Sequence, residues 1–283
     1  MTRFRLFALV LALCFAVAFA TPAQAAPSSG VNDWTCRPSA AHPRPVVLLH
    51  GLSSSNSANW AFHGPAIAKA GYCVFSLTYG VNSTSMLFGG GGFDPIDESA
   101  QEIGAFVDEV LETTGAEKVD LVGHSEGAFQ SLYVTKVTGY APKIGRVVAL
   151  APPTHGTTVA GIVTLGQLLG GQALVAAFTD GAKCFACTDL VKGSPAVARL
   201  TDGPIAQPGV QYTIVASKWD FLVTPTPTAF VPEPGVNNYY IQDKCPLDPV
   251  GHVGIAVDTG VTSMILNGLD PSVKIRCGLG FPL

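Results

Sequence analysis

Apolar residues along this chain fall either in short unbroken runs or at intervals of three and four, and the two patterns predict different elements. Pro45 to Leu49 is continuously apolar, as in a strand buried on both faces, and it leads into His50-Gly51-Leu52 and a serine-rich loop through Asn59. Tyr72 to Leu77 reads as a second strand, with Pro65 to Ala70 as a short helix between the two. Ile96, Ala100, Ile103, Phe106, Val107, Val110 and Leu111 recur at helical spacing, so Ile96 to Thr114 is predicted as an amphipathic helix that begins after Asp94-Pro95. Further strands are predicted at Lys118 to Gly123, Arg146 to Leu150, Gln211 to Ala216 and Asn238 to Gln242, with a last helix near Val261 to Leu269. Strands alternate with helices throughout, which predicts a single α/β domain with a mostly parallel central sheet and helices on both faces. The apolar but glycine-punctuated stretch Thr157 to Ala177 interrupts this alternation and is expected to form a buried helix or a cap and pocket-wall insert near 157–200.

One strand runs directly into reactive chemistry. Gly123-His124-Ser125-Glu126-Gly127 is a G-x-S-x-G pentapeptide between an apolar strand and a helical stretch carrying Ala128, Phe129, Leu132 and Tyr133. That setting is a nucleophile elbow, in which glycines stand where strand and departing helix nearly collide and the serine hydroxyl is held clear of the backbone. The pentapeptide alone is weak in a chain with 31 glycines; the strand before it and the helix after it carry the reading.

Composition narrows the compartment and the partners. Met1 to Ala25 has Arg3, Arg5, an apolar run from Leu6 to Ala20 and an A-x-A site, the pattern of a secretory signal, and the run is too short for a span of about 20 residues. The expectation is a secreted, extracellular protein, free or associated with the cell envelope, whose mature domain is 26–283. Removing the signal takes two arginines from 16 basic residues and none of the 20 acidic ones, moving the formal charge from −4 to −6. Nucleic acid is therefore not an expected partner. Six cysteines remain after Cys14 leaves with the signal, an even number that implies disulfides without fixing their connectivity. Cys184-Phe185-Ala186-Cys187 is also compatible with redox or zinc chemistry, but no second motif of that kind accompanies it, and no metal or other cofactor is expected.

A serine hydroxyl needs an imidazole to take its proton and an acid to hold that imidazole in the right tautomer. On a sheet of this plan the order is serine, acid, histidine. Only His155 and His252 follow Ser125, and His155 precedes every well-placed acid, which leaves His252. Asp180, Asp189, Asp202, Asp220, Glu233, Asp243 and Asp248 lie between. Asp220 follows the Gln211–Ala216 strand by a short turn and so falls at the same carboxyl edge as Ser125, whereas Asp248 is too near His252 for a separate approach. Backbone N–H donors for a tetrahedral oxyanion are expected from Glu126 and from Leu52. His50, His124, His63 and His42 are read as structural or solvated.

With these residues identified, the chain resembles the secreted class 2 lipases of bacteria, which are similar in plan to the fungal lipase B type and belong to the α/β-hydrolases. The resemblance runs from about Pro45 to Pro271 and includes Val46-Val47-Leu48-Leu49-His50-Gly51, Pro95 to Ala100, the elbow, Leu150 to Thr158, Cys184 to Ser194, Asp220 with Val223-Thr224-Pro225, and His252-Val253-Gly254-Ile255. It implies a carboxylic ester hydrolase acting on acylglycerols without a cofactor, with Ser125, Asp220 and His252 as its triad. It also implies the pairings Cys36 to Cys73, Cys184 to Cys187 and Cys245 to Cys277. A small-molecule or lipid ester substrate, transient contact with a lipid interface and a monomeric state follow as expectations.

Two positions depart from that family. Leu52 stands where a threonine is usual, which removes a side-chain donor worth on the order of 3 kcal/mol in the transition state. Glu126 replaces a glutamine, and a carboxylate there opposes a developing oxyanion unless it points to solvent, so lower or pH-sensitive activity is expected. Acyl transfer to an alcohol on the same scaffold, and a non-catalytic binding protein that retains the fold, are the alternative readings.

Overall fold

The computed structural model describes residues 30–158, 160–164, 166, 168, 175, 177 and 183–283. The predicted signal segment and Asp180 lie outside the described residues.

Six strands form one sheet, β1 (Val46–Leu49), β2 (Val74–Ser76), β3 (Val119–His124), β4 (Ile144–Leu150), β5 (Gln211–Ala216) and β6 (Val236–Tyr240). Their spatial order is β2-β1-β3-β4-β5-β6, and every pairing is parallel. The continuous apolar runs are explained by two cores, one on each face. Val47, Leu49, Leu121, Val147 and Ile214 face one core, while Val46, Leu48, Val122, Val148 and Val215 face the other. Both faces exclude water, so alternate positions along a strand are equally apolar.

Helix α4 (Ile96–Thr114) occupies the predicted span, buries Ile96, Ala100, Ile103, Val107 and Val110 in the first core, and stops at Gly115 with φ 70°. Helix α5 (Glu126–Lys136) is buried from Glu126 to Thr135 because it lies between the sheet and its neighbours. The helix Thr259–Leu269 covers the opposite face with Val261, Met264, Ile265 and Leu269.

Several predicted boundaries move. Helix α2 spans His63–Lys69 and is preceded by a separate short helix, α1 (Asn56–Trp60), which the serine-rich loop concealed; the Ser55 hydroxyl caps it by accepting from the Ala58 N–H. The second strand contracts to Val74–Ser76, the part paired with β1. The sixth ends at Tyr240, because the Asp243 carboxylate accepts from the Tyr240 N–H and turns Ile241 and Gln242 into a helical turn. The short helices Ser85–Phe88, Phe185–Asp189 and Pro195–Thr201 were not predicted.

Three disulfides join Cys36 to Cys73, Cys184 to Cys187 and Cys245 to Cys277, the pairings the resemblance implied. Both sulfurs of the C-x-x-C are thereby engaged with each other. The Cys36–Cys73 bond ties the segment before the sheet to the entrance of β2 across 37 residues. Replacing both cysteines by serine is expected to lower stability by about 4 kcal/mol on a loop-entropy basis, read as a fall in the denaturant midpoint.

Candidate active site

Strand register fixes where the chemistry-bearing groups meet. Leu49 pairs with Gly123, so the turn after β1 and the turn after β3 leave the sheet side by side. This is also where chain order reverses, with β2 on one side of β1 and β3 on the other, the crevice at which open parallel sheets bind ligands. Ser125 sits in that crevice with φ 56° and ψ −121°, outside the usual regions for a residue with a side chain.

Crowding holds it there. A Cβ at Gly123 would lie 2.2 Å from the Gly127 carbonyl oxygen, and one at Gly127 would lie 2.1 Å from that of Leu49. The Ser125 N–H donates to the Leu150 carbonyl at 2.8 Å, which fastens the elbow to β4. With strand and helix this close, the chain reverses within one residue and the hydroxyl projects from the rim.

His252 and Asp220 reach Ser125 from the far side of the sheet. His252 Nε2 is 2.8 Å from Ser125 Oγ, and His252 Nδ1 is 2.7 Å from Asp220 Oδ2. Asp220 Oδ1 accepts from the N–H groups of Leu222 and Val223 at 2.8 and 2.9 Å, which fixes the carboxylate plane. The His252 and Asp220 side chains are both buried. With a carboxylate at Nδ1, the proton of the neutral ring is held on that nitrogen, and Nε2 is free to accept from the serine.

Four of the other candidate acids have separate partners for their carboxylates. Asp189 accepts from the Ile96 N–H at the start of α4, Glu233 from the N–H groups of Ile205 and Ala206, and Asp243 from Tyr240 while pairing with Lys218. The Asp202 carbonyl accepts from Lys136. Asp248 is buried and its Oδ1 accepts from the N–H groups of Val250 and Gly280, so it braces the loop that carries His252 without touching the ring. His155 Nε2 lies 3.0 Å from the Phe230 carbonyl, away from the serine.

Leu52 lines both cavities beside Ser125, and Glu126 follows Ser125 as the first residue of α5. The N–H groups of Gly51 and Ser53 are taken by Asn59 Oδ1 and the Gly91 carbonyl, which orients the turn containing the Leu52 amide. The Glu126 amide is the first of α5, so it has no intrahelical acceptor and sits at the positive end of the helix dipole. The Glu126 side chain corrects the expectation that it must face solvent to be harmless. It is fully buried, packed toward Gly92, and lines neither cavity beside Ser125. Burial, with Asp189 and Asp94 adding to it, pushes its carboxyl well above the usual carboxylate range, which favours the protonated form.

Two residues that the sequence reading left out of the site connect its parts. Asn59 Oδ1 accepts from the Gly51 N–H and lies 3.1 Å from His124 Nδ1, while His124 Nε2 lies 3.0 Å from the His252 carbonyl. The turn after β1, the elbow and the His252 backbone thus share one buried bridge. Burial, with the like charge of His252 adding to it, lowers the His124 ring to about 3, so His124 stays uncharged. His50 and His63 are likewise lowered to about 4 by burial. His50 Nε2 accepts from the Tyr79 N–H, and the Tyr79 hydroxyl donates to the His50 carbonyl, the turn-orienting role expected of it. Nothing in the sequence marks Asn59, because its contacts form only when β1 and β3 are neighbours.

Two cavities meet at Ser125 and His252. The larger, of about 340 Å³, is walled chiefly by apolar groups including Leu52, Ala58, Val253, Val257, Phe281 and Leu283. The smaller, of about 20 Å³, lies toward Pro153, Ile162, Leu190 and Val223. Within the predicted insert, residues 160–164 are helical, and Gly161 is pressed against the Leu222 carbonyl, which a Cβ would approach to 2.2 Å. The remainder of Thr157–Ala177 is only partly within the described residues.

A family model for the α/β hydrolase fold matches residues 44–177. The chain is an α/β-hydrolase in fold. Among curated proteins, the chain is 28% identical over 155 residues to a triacylglycerol lipase of Pseudomonas fragi, covering 50% of this chain and 46% of that one. It is 32% identical over 131 residues to a triacylglycerol lipase of Burkholderia plantarii, covering 42% and 32% respectively. The chain spans less than half the length of these curated relatives. Among solved structures it is similar to lipase B of Aspergillus fumigatus, with a TM-score of 0.62 at 16% identity over 84% of this chain and 54% of that one. It is also similar to the mature form of a Bacillus licheniformis lipase, with a TM-score of 0.57 at 20% identity over 84% and 95%. At these identities the structural likeness is one of fold.

The raised Glu126 carboxyl has a measurable consequence. A carboxyl raised in the folded state binds its proton more tightly there, so stability falls as pH rises above the unfolded value near 4.5 and keeps falling until the folded group ionises. Glu126→Gln removes this dependence. Wild type is expected to lose up to about 1.4 kcal/mol per pH unit relative to Glu126→Gln as pH rises above the unfolded value, measured as the difference in unfolding free energy from about pH 5 upward.

Proposed function

We propose that this α/β-hydrolase cleaves carboxylic esters of lipids, with acylglycerols as the substrate class, through an acyl-enzyme on Ser125. The observation that carries the reading is the hydrogen-bonded series Asp220–His252–Ser125, at 2.7 and 2.8 Å, opening onto an apolar cavity of about 340 Å³. The names of the curated relatives support the same substrate class.

In the proposed reaction, Ser125 Oγ attacks the ester carbonyl carbon as its proton passes to His252 Nε2. Asp220 accepts from Nδ1–H and stabilises the imidazolium that forms. The carbonyl oxygen becomes an oxyanion and receives the N–H groups of Leu52 and Glu126, an interaction strengthened by the apolar walls that exclude water. The C–O bond to the alcohol then breaks, and the imidazolium gives the departing oxygen its proton. Water repeats the sequence in reverse, with His252 as base, and releases the acid and free Ser125.

The disulfides suit an oxidising, extracellular setting. Exposed Phe281, Val257 and Leu283 at the cavity mouth suit transient contact with a lipid interface by a monomer. The pocket-wall insert near 157–200 contributes Ile162 and Leu190 to the smaller cavity.

Ser125→Ala and His252→Ala are each expected to lower kcat on a p-nitrophenyl ester on the order of 10⁶-fold. Asp220→Asn is expected to lose about 10⁴-fold through the wrong tautomer, and Asp248→Asn far less. An alkyl phosphonate should add to wild type at Ser125, seen by peptide mass, and not to Ser125→Ala. An unlabelled Ser125 in a folded protein, or a larger loss at Asp248 than at Asp220, would overturn the assignment.

A further inference from the structure

The loop that carries His252 is held by a segment remote from it in sequence. Gly251 donates its N–H to the Phe281 carbonyl at 2.9 Å, and Gly254 donates to the Leu283 carbonyl at 2.7 Å, so both flanks of His252 hang on one stretch of backbone. That stretch is fixed in turn at Gly280, whose N–H donates to Asp248 Oδ1 at 2.9 Å, and at Cys277, joined to the buried Cys245. The surfaces are pressed together without slack. A Cβ at Gly254 would stand 2.1 Å from the Phe281 oxygen, one at Gly251 2.7 Å from the Pro282 oxygen, and one at Gly280 2.5 Å from Val250 and 2.6 Å from the Asp258 carboxylate.

The same stretch faces the substrate cavity. Phe281 and Leu283 line it together with Leu52, Ala58, His252 and Val253, yet Phe281 is 65% exposed. An aromatic ring that walls a cavity while projecting into solvent gains little for the folded chain, and it is placed to gain more when an apolar group fills the space beneath it.

We propose that Gly278–Leu283 is a strap with two roles at the site: its backbone sets the height of the His252 ring over Ser125, and its Phe281 and Leu283 side chains limit the size of the apolar ester substituent admitted to the larger cavity. The proposal rests on the ester-hydrolase reading above and adds residues to it. Backbone and side chain act separately here, so they are separable by experiment. Displacing the backbone lowers kcat by misplacing the imidazole, since the proton transfer is sensitive to sub-ångström misalignment. Trimming the ring changes which substrate binds.

The test uses the full chain. Wild type, Gly280→Ala and Phe281→Ala are compared for kcat and KM on p-nitrophenyl esters from acetate to dodecanoate, and amide hydrogen exchange is followed at Gly251 and Gly254. Phe281→Ala is expected to shift kcat/KM toward the longest esters at least fivefold relative to acetate. Gly280→Ala is expected to lower kcat tenfold or more on every ester with a smaller change in KM, and to speed exchange at both glycines. An unchanged chain-length profile in Phe281→Ala overturns the specificity role; unchanged kcat and exchange in Gly280→Ala overturn the positioning role. Should Gly280→Ala fail to fold, Asp248→Asn, which weakens the same anchor without adding bulk, takes its place with the same expected directions. Wild type inert on the whole series would defeat the hydrolase reading, whereas exchange at Gly251 and Gly254 would still decide whether the strap holds the loop.

Discussion

The structure depends on a collision that two glycines permit. Strand β3 and helix α5 approach until carbonyl oxygens of Gly127 and Leu49 fill the space where side chains at Gly123 and Gly127 would be. In that space the chain has no room for a gradual turn, and Ser125 takes up a left-handed φ of 56°. Strain of this kind costs on the order of 1–3 kcal/mol and persists only where surrounding packing over-determines it. Here the packing is the fully buried α5 on one side and the β3–β4 ladder, extended by the Ser125 N–H to Leu150, on the other. The exposed direction of one hydroxyl is thus maintained by buried apolar surface.

Around that hydroxyl the protein avoids stray charge. His50, His63 and His124 are held neutral by burial, and the Glu126 carboxyl is pushed toward its neutral form by the same cause acting on an acid. The acid left in contact with an imidazole at the rim is Asp220. An oxyanion forming beside Ser125 would therefore meet backbone dipoles and a paired imidazolium in low-dielectric surroundings, where such interactions are strongest. Glu126 carries a carboxyl into the core, and the cost is expressed in stability as pH rises above its unfolded value.

The His252 loop is positioned from several directions at once. Asp220 orients the ring, His124 meets its carbonyl, Asp248 braces the loop before it, and the Gly251 and Gly254 amides bind carbonyls some 30 residues further along, as Phe281 and Leu283 number them. Loops are ordinarily the least rigid parts of a fold. This one is tied to the sheet, to the elbow and to the disulfide-anchored segment after Cys277.

Much of this was legible in the residues themselves. Periodicity located α4 to the residue, because one face of a long helix buries a regular stripe, and it located the sheet strands, because burial on both faces demands unbroken apolar runs. Local crowding made Gly123, Ser125 and Gly127 readable as a unit, and chain order singled out His252. Short-range competition hid the rest: a serine cap made a helix at Asn56–Trp60, and the Asp243 carboxylate ended β6 early. The place of Asp220 just after a strand pointed to it among the intervening acids, whereas the Asn59–His124 bridge, the inward turn of Glu126 and the Gly280 anchor belong to the tertiary structure. Each is a contact between residues distant in the chain, and its direction is set only when strands that are not consecutive come to lie side by side.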